Sequence, residues 1–372
     1  MPDIQELFRR LLRGDILAKI MHISDLHLDS KLNELDQDKS NIRRSEIKKS
    51  FENAINYAKE NGADVILISG DIFDNEYVSD STIEFVKKVL NGAENIKIFI
   101  SCGNHDPYKT DVYKKLMDGL NDNIVVFSPD ATEYFELEDK KIRIYGRSFA
   151  YSEISTPLLA GFKAIDDDFA NIMVMHGEVT GSESIYNPIS TNDISESNLT
   201  YLALGHTHQF SQVLKTGNTY YAYPGTHEGH GFDECGEKGF IFGDVTKESV
   251  NLSFVPSNIR EYKCIEIDIT NFTVLEEITE KIKDNLNTKD LFKIILTGYR
   301  NENIAINEAV IKNSLDAFFV KIYDRTKLKF DFEKIKNEKN LRGVLVKNVL
   351  NDITAENREL MEQVLEKIAE FF

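Results

Sequence analysis

Residues 20–28 read IMHISDLHL, a short apolar run that stops abruptly at Asp25 and His27. Further runs of the same form cover residues 65–69, 96–101, 172–175 and 201–204. Near-continuous β-branched and apolar runs of this length are typical of strands buried on both faces, rather than of alternating surface strands. The sequence therefore predicts buried strands at these places, each followed at once by polar residues.

Two amphipathic helix patterns separate the first three runs. One apolar stripe recurs at helical spacing over residues 47–58, and a second recurs over residues 83–90. Ser81 and Glu84 have the spacing of a capping box at the start of the second helix. The alternation of strands and helices predicts βαβ units and a central sheet with helices outside it, which is an α/β fold.

Each predicted strand ends in side chains that are able to bind metals. The sequence has DLH at 25–27, GD at 70–71, GNHD at 103–106, HG at 176–177 and GHTH at 205–208. Parallel strands deliver such side chains to one edge of a sheet, where α/β proteins place their ligand sites. Taken singly, each motif has an ordinary alternative, such as a turn, a helix cap or a core histidine with satisfied hydrogen bonds. Five of the eight histidines lie in these motifs, and their conjunction predicts a binuclear metal site.

Composition limits the class of protein. The 372 residues include 44 Lys and Arg against 62 Asp and Glu, a formal net charge of −18. Hydrophobic residues make up 41% of the chain, which argues against global disorder. The three cysteines are widely spaced and form no disulfide framework, and no apolar run reaches the roughly 18 residues of a membrane span. We expect a cytoplasmic protein that does not bind nucleic acid through overall charge, because phosphates repel it.

Changes in the sequence pattern predict three segments. Residues 1–18 form an N-terminal amphipathic extension, interpreted as a docking helix or as an upstream start before Met21 in preference to a membrane-surface helix. Residues 19–256 form the metal-binding domain. Residues 257–372 form a smaller α+β domain that closes with C-terminal helices.

The order of the motifs DLH, GDIFD, GNHD, MHG and GHTH resembles that of the calcineurin-like metallophosphoesterase superfamily over residues 19–255. Within that superfamily, HISDLHLDS, ISGDIFD, GNHDP, LALGHTH and YPGTHEGHGFDECGEKG are similar to bacterial SbcD-type DNA repair exonucleases. The resemblance implies a metallophosphoesterase fold, in which a central β-sandwich is flanked by helices. It also implies that the smaller α+β domain is a capping domain.

The same resemblance implies which residues bind which ion. One ion would be held by Asp25, His27 and His208, the second by Asn104, His176 and His206, and Asp71 would bridge both. Oxygen and imidazole ligands without a thiolate suit Mn²⁺, Fe or catalytic Zn²⁺, and the nuclease relatives imply manganese.

Three further residues flank these ligands. His105 follows the ligand Asn104 and is the candidate acid or transition-state stabiliser at the leaving oxygen. Asp106 has two interpretations, orientation of the His105 imidazole or turn capping before Pro107. Asp74 stands where some archaeal and eukaryotic relatives have a histidine. A role that this histidine has in those relatives is therefore not expected in this chain, and the aspartate is not interpreted as a loss of activity.

A weaker cluster follows the last ligand strand. It contains His227, Glu228 and His230. The surrounding glycines suggest a mobile loop that would make an accessory substrate contact, and a third metal is not expected there.

The resemblance and the ligand set predict a metal-dependent phosphodiesterase that acts on double- or single-stranded DNA ends. A coiled-coil ATPase subunit is the expected partner, and dimerisation is an expectation from the relatives. The alternatives are an enzyme acting on a nucleotide, cyclic nucleotide or phosphoprotein, and a weakly catalytic scaffold that regulates an ATPase. Residues 1–255 hold 25 basic and 41 acidic groups and contribute −16 of the charge. A nuclease of this charge would depend on its metals, its local groove and its partner to hold DNA.

Overall fold

All of the apolar runs form strands, and two sheets share them. The computed structural model describes residues 17–74, 78–181, 183–301 and 303–371. Residues 1–16 of the predicted N-terminal extension lie outside these ranges. The chain is divided into two compact units, of which the first ends at Glu261 and the second begins at Tyr262.

The first unit contains both sheets. Its strands are β1 (Ala18–Ile23), β2 (Val65–Ser69), β3 (Lys97–Ser101), β4 (Ile124–Val126), β5 (Glu133–Leu137), β6 (Ile142–Arg147), β7 (Ala170–His176), β8 (Glu178–Val179), β9 (Pro188–Ile189), β10 (Tyr201–Gly205), β11 (Leu214–Thr216), β12 (Thr219–Ala222), β13 (Gly239–Val245) and β14 (Val250–Pro256). Its helices are α1 (Gln37–Glu60), α2 (Asp80–Asn91), α3 (Asp111–Met117) and α4 (Thr191–Glu196).

Both sheets have a parallel centre. Antiparallel strands lie at one edge of the first sheet and at both edges of the second. The first has the order β14-β13-β1-β2-β3-β4, in which β1 to β4 are parallel. The second has the order β11-β12-β10-β7-β6-β5, in which β12, β10, β7 and β6 are parallel. The expectation of one central sheet is wrong, because β1, β2 and β3 belong to one sheet and β7 and β10 to the other. The β-sandwich flanked by helices that the resemblance implies is confirmed.

Burial on both faces explains why the runs are continuously apolar. Leu67 of β2 lies in the core between the sheets together with Val174 of β7. Its neighbours Ile66 and Ile68 point the other way, into a core that contains Phe51 of α1. Since successive residues of a strand face opposite sides, every position of such a strand has to be apolar.

Helix α2 begins earlier than its capping-box pattern predicts. Ser79 is the N-cap residue, and its Oγ accepts a hydrogen bond from the amide of Thr82 at 3.3 Å. The Asp29 carboxylate accepts hydrogen bonds from both N and Oγ of Ser79 at 3.0 Å each, which fixes the start of the helix. Ser81 therefore lies inside the helix, and the predicted capping box at Ser81 and Glu84 is wrong.

The second unit is a small α+β unit. Its strands are β15 (Tyr262–Asp268), β16 (Leu291–Thr297), β17 (Tyr299–Asn301), β18 (Phe319–Asp324) and β19 (Lys327–Lys329), and its helices are α5 (Leu275–Lys283), α6 (Glu308–Asn313), α7 (Phe332–Ile335), α8 (Leu341–Asn351) and α9 (Arg358–Phe371). The strands β15, β16 and β18 form a parallel sheet whose core includes Ile278 of α5 and Ile311 of α6. Among the residues that the structure describes, no helix has the length and apolar character needed to cross a bilayer.

Candidate metal centre

The carboxyl ends of β1, β2, β3, β7 and β10 meet at one edge of the sandwich. Two hydrogen bonds join the sheets there. The amide of His206 donates to Asp25 Oδ1 at 3.0 Å, and His176 Nδ1 lies 2.9 Å from the carbonyl oxygen of Ser69. The side chains that follow strands of both sheets are therefore held together as one group.

The backbone at this edge is strained. The φ angles of Asp25, His27, Asp71 and His206 are 52°, 42°, 54° and 116°. Residues with a Cβ rarely adopt positive φ. Such strain persists where surrounding contacts hold the backbone in place, commonly at functional sites. Gly103 allows the Asp71 carboxylate to lie close to the loop after β3, because a Cβ at residue 103 would overlap that carboxylate.

One half of the group is formed by Asp25, His27 and His208. Their ligand atoms all lie within 4.8 Å of one another. His27 Nε2 and His208 Nε2 are only 3.1 Å apart. Two imidazole nitrogens and a carboxylate that converge in this way are able to bind one divalent ion.

The other half contains Asn104, His176 and His206. Asn104 Oδ1 lies 2.8 Å from His176 Nε2 and 3.3 Å from His206 Nδ1. Asp71 lies between the halves, with Oδ2 at 3.7 Å from His27 Nε2 and 3.4 Å from His176 Nε2. The structure thus brings together all the residues that the sequence proposed as metal ligands.

The electrostatics of this group favour a bound cation. Burial raises the pKa of Asp71 well above its usual range, and the Asp106 and Asp25 carboxylates raise it further. Burial likewise raises the pKa of Asp25 to about 6. For His27 and His176, burial lowers the pKa well below its usual value, so both imidazoles are neutral and have a lone pair to offer. Neutral imidazoles beside buried carboxylates fit divalent cations, whose charge would offset the burial of the carboxylates.

His105 stands at the open side of the group. Its side chain is 47% exposed, and its ring centroid lies 4.8 Å from that of His27. Its backbone amide donates to Asp71 Oδ1 at 2.9 Å, so the residue also helps to hold the carboxylate between the two halves. Its Nδ1 is 3.9 Å from the Asp74 carboxylate.

Asp106 is completely buried and binds the backbone. Its carboxylate accepts hydrogen bonds from the amides of Asp71, Ile72, Phe73 and Gly103 and from the hydroxyl of Tyr113. These donors come from the loops after β2 and β3 and from α3. The structure therefore places the Asp106 carboxylate on these groups and not on the imidazole of His105, which corrects the orienting interpretation.

A cleft of about 680 Å³ opens beside the group. Its lining includes His105, Asn104, Lys109, Tyr151 and Tyr186. The Tyr186 ring also packs against that of His206, with centroids 5.0 Å apart. A substrate in this cleft would reach His105 and Asn104 directly.

Sequence reasoning missed Glu234. Its Oε1 lies 2.6 Å from His208 Nδ1. Burial lowers the pKa of His208, but the hydrogen bond to Glu234 and the charge of Asp25 raise it more, so the net direction is upward. Glu234 follows His208 by 26 residues, and no fixed spacing in the chain points to this contact.

The loop after β12 is buried, in contrast to the expected mobile loop. His227 Nε2 lies 3.1 Å from the carbonyl oxygen of Ile47. Glu228 accepts hydrogen bonds from Arg43 at 2.8 Å and from the amide of Ile259 at 2.7 Å. Because these contacts join the loop to α1 and to the segment after β14, the glycines around them do not confer mobility.

Comparison with known proteins agrees with this geometry. The family model for calcineurin-like phosphoesterase matches residues 18–210, more than half of the chain. The uncharacterized metallophosphoesterase YhaO of Bacillus subtilis is 27% identical over 282 residues, covering 72% of this chain and 68% of that protein.

Two similar proteins carry names that refer to DNA repair or nuclease activity. The DNA double-strand break repair protein Mre11 of Thermoplasma acidophilum is 28% identical, and the match covers 84% of each chain. A component of the SbcCD nuclease of Staphylococcus epidermidis is 26% identical, with 72% of this chain and 77% of that protein covered. The family uses a binuclear metal site. With the family match and the ligand group in one place, the chain belongs to the calcineurin-like phosphoesterases and is a metal-dependent hydrolase of phosphate esters.

Proposed function

We propose that this protein hydrolyses phosphodiester bonds of DNA, as an exonuclease or endonuclease of the DNA repair type. The observation that carries the proposal is the position of Asp71, whose Oδ2 lies 3.7 Å from His27 Nε2 and 3.4 Å from His176 Nε2. A carboxylate between two sets of nitrogen and oxygen ligands is the arrangement that a two-metal phosphoesterase requires.

Two divalent ions would share the ligand group, and Mn²⁺ is our candidate for both. One would be held by Asp25, His27 and His208 and the other by Asn104, His176 and His206, with Asp71 between them. When bound, such ions supply Lewis-acid stabilisation of the phosphate and a nucleophile from water at neutral pH. The ligands are oxygen and imidazole without thiolate, which suits Mn²⁺ and leaves Fe and Zn²⁺ as alternatives.

His105 is proposed to act on the leaving oxygen. Its ring borders both the ligand group and the cleft, so a substrate phosphate between them would lie against it. An imidazolium there would donate a proton to the departing oxygen or stabilise its charge. Asp106 contributes indirectly, because its carboxylate holds the amide of Asp71 at 3.1 Å and that of Gly103 at 2.9 Å.

Two similar proteins, a DNA double-strand break repair protein and a component of a nuclease, favour DNA as the substrate. Lys109 at the cleft offers a positive charge to a phosphate. The charge of −16 on residues 1–255 opposes binding through overall charge. We therefore propose that bound metals, the cleft and a partner together hold the DNA, in the cytoplasm.

The proposed partner is a coiled-coil ATPase subunit. The support is the name of the Staphylococcus protein, which is one component of a nuclease with more than one kind of chain. A homodimer of this chain is the second proposed assembly. Co-purification of this chain with a coiled-coil ATPase from its own cells would test the first proposal, and sedimentation of the chain alone would test the second.

The decisive experiment compares substrates under metal control. Purified protein is given linear duplex DNA, single-stranded DNA, bis(p-nitrophenyl) phosphate, cyclic AMP and p-nitrophenyl phosphate, with Mn²⁺ or with EDTA. We expect Mn²⁺-dependent cleavage of DNA that EDTA abolishes and that Asp71→Asn reduces by about 10²-fold or more. Asp122→Asn, at an exposed site, is the matched control.

Other outcomes would redirect the assignment. Hydrolysis of the nucleotide or of the small esters alone would favour a phosphoesterase with another substrate. Bound metal without hydrolysis of any substrate would favour the scaffold that regulates an ATPase. Either result contradicts the proposed nuclease.

A further inference from the structure

Glu234 joins two histidines at the edge of the ligand group. Its side chain is only 8% exposed. Oε1 lies 2.6 Å from His208 Nδ1, while Oε2 accepts the backbone amide of His230 at 2.9 Å and lies 3.4 Å from His230 Nδ1. Both carboxylate oxygens are therefore occupied, and rotation of the group would break contacts on both sides.

The contact with Glu234 determines which nitrogen of His208 carries the proton. A carboxylate is an acceptor, so Nδ1 of His208 has to be the donor. In the neutral ring Nε2 then has the lone pair, and it lies 3.1 Å from His27 Nε2, inside the ligand group. The opposite tautomer would place a hydrogen where a metal has to bind.

The surroundings of Glu234 are rigid. Lys238 Nζ donates to the carbonyl oxygen of His208 at 3.0 Å, which fixes the backbone on one side. On the other, Arg43 donates to the carbonyl oxygen of Gly229 at 3.1 Å and to Glu228 at 2.8 Å, and both side chains of that ion pair are buried. These contacts hold the backbone around Glu234 in place. The Glu234 carboxylate can therefore fix the orientation of the His208 ring.

We propose that Glu234 is a positioning residue that fixes the tautomer and the ring orientation of His208 for the ion shared with Asp25 and His27. The inference rests on the proposed two-metal function. It assigns a role in metal binding to a residue that is not itself a proposed ligand. Hydrogen bonds of this kind contribute about 10- to 100-fold to metal affinity.

Titration of the metal-free protein with Mn²⁺ by calorimetry tests the proposal. Glu234→Ala should weaken one of the two binding events by about 10- to 100-fold and leave the other within about twofold. Glu234→Gln keeps an acceptor oxygen at the same place and should recover most of the affinity. The exposed Glu237, changed to Gln, is the control and should bind both ions as the wild type does.

A second readout needs no metal. Long-range ¹H–¹⁵N correlation on protein labelled at histidine distinguishes the Nδ1–H from the Nε2–H tautomer, and His208→Asn assigns the signal. We expect Nδ1–H in the wild type and in Glu237→Gln, and loss of this preference in Glu234→Ala. If Glu234→Ala fails to fold by circular dichroism, the Gln variant is compared with Glu234→Asp, whose shorter side chain should weaken the same binding event.

The outcomes separate the two proposals. Two unchanged binding events and an unchanged tautomer in the Glu234 variants would overturn the positioning role. A wild type that binds no divalent ion would overturn the proposed function, while the tautomer measurement would still decide the role of Glu234.

Discussion

The buried carboxylate of Asp106 accepts a hydrogen bond from the backbone amide of Asp71 at 3.1 Å. The two residues are 35 positions apart and follow neighbouring parallel strands, β2 and β3. Asp106 also accepts the amide of Gly103 at 2.9 Å, so one side chain fixes two loops that carry ligands. The position of Asp71, which we propose as the bridging ligand, thus depends on a residue that is not itself a proposed ligand.

Asp106→Ala should therefore destabilise the fold and weaken metal binding together. It leaves the amides of Asp71, Ile72, Phe73 and Gly103 without their common acceptor. An unsatisfied buried amide costs about 1–3 kcal/mol, so with several amides affected we expect a loss of at least about 3 kcal/mol. Urea unfolding and Mn²⁺ titration measure both effects, with Asp122→Asn as control. Wild-type stability would show that the loops hold without Asp106.

His105→Ala should affect turnover far more than metal content. The side chain is 47% exposed and borders the cleft. Loss of an acid at the leaving oxygen lowers kcat by about 10²- to 10⁴-fold. Elemental analysis of the purified variant should still find the wild-type metal content. Lys114→Ala, on the exposed face of α3, is the control. Equal loss of metal and turnover would reassign His105 as a ligand.

Gly103→Ala should disable the centre while preserving the fold elsewhere. A Cβ at Gly103 would overlap the Asp71 carboxylate and has no room to move, because the Asp71 backbone is also close. We expect at least about a tenfold loss of Mn²⁺ affinity by calorimetry, comparable to loss of a well-placed ligand contact. Gly181→Ala is the matched control, since its Cβ would meet nothing within 4 Å. If Gly103→Ala binds two ions normally, the Asp71 carboxylate does not lie against Gly103.

The proximity of the proposed ligands could be predicted because each of them lies shortly after, or at the end of, an apolar run in the chain. Asp25, Asp71 and Asn104 come two or three residues after the ends of strands of one sheet, and His176 and His206 end or follow strands of the other. Local sequence determines where a strand forms and ends. Parallel pairing then brings the carboxyl ends of neighbouring strands to the same edge of a sheet. Periodicity does not reveal which strands pair, so the division into two sheets was not predictable from the runs themselves.

Contacts between distant residues were not predictable for the same reason. Arg43 and Glu228 form a buried pair across 185 positions, and neither residue lies in a pattern that distinguishes it from a surface charge. The glycines around Glu228 instead favoured a mobile loop. Burial of the pair depends on α1 and the loop after β12 meeting in space, which is a property of the tertiary structure alone.

His227 should make stability depend on pH. Burial lowers the pKa of His227 to about 3 from the usual 6.5. The unfolded chain therefore binds a proton that the folded chain does not between these values, so stability falls as the pH drops below 6.5 and is unaffected above it. The slope is at most about 1.4 kcal/mol per pH unit for this residue. His227→Asn should remove that part of the slope in urea unfolding of metal-free protein at pH 5–6, whereas its difference from wild type should be constant above pH 7. Equal slopes in both proteins would mean that His227 is protonated in the folded state.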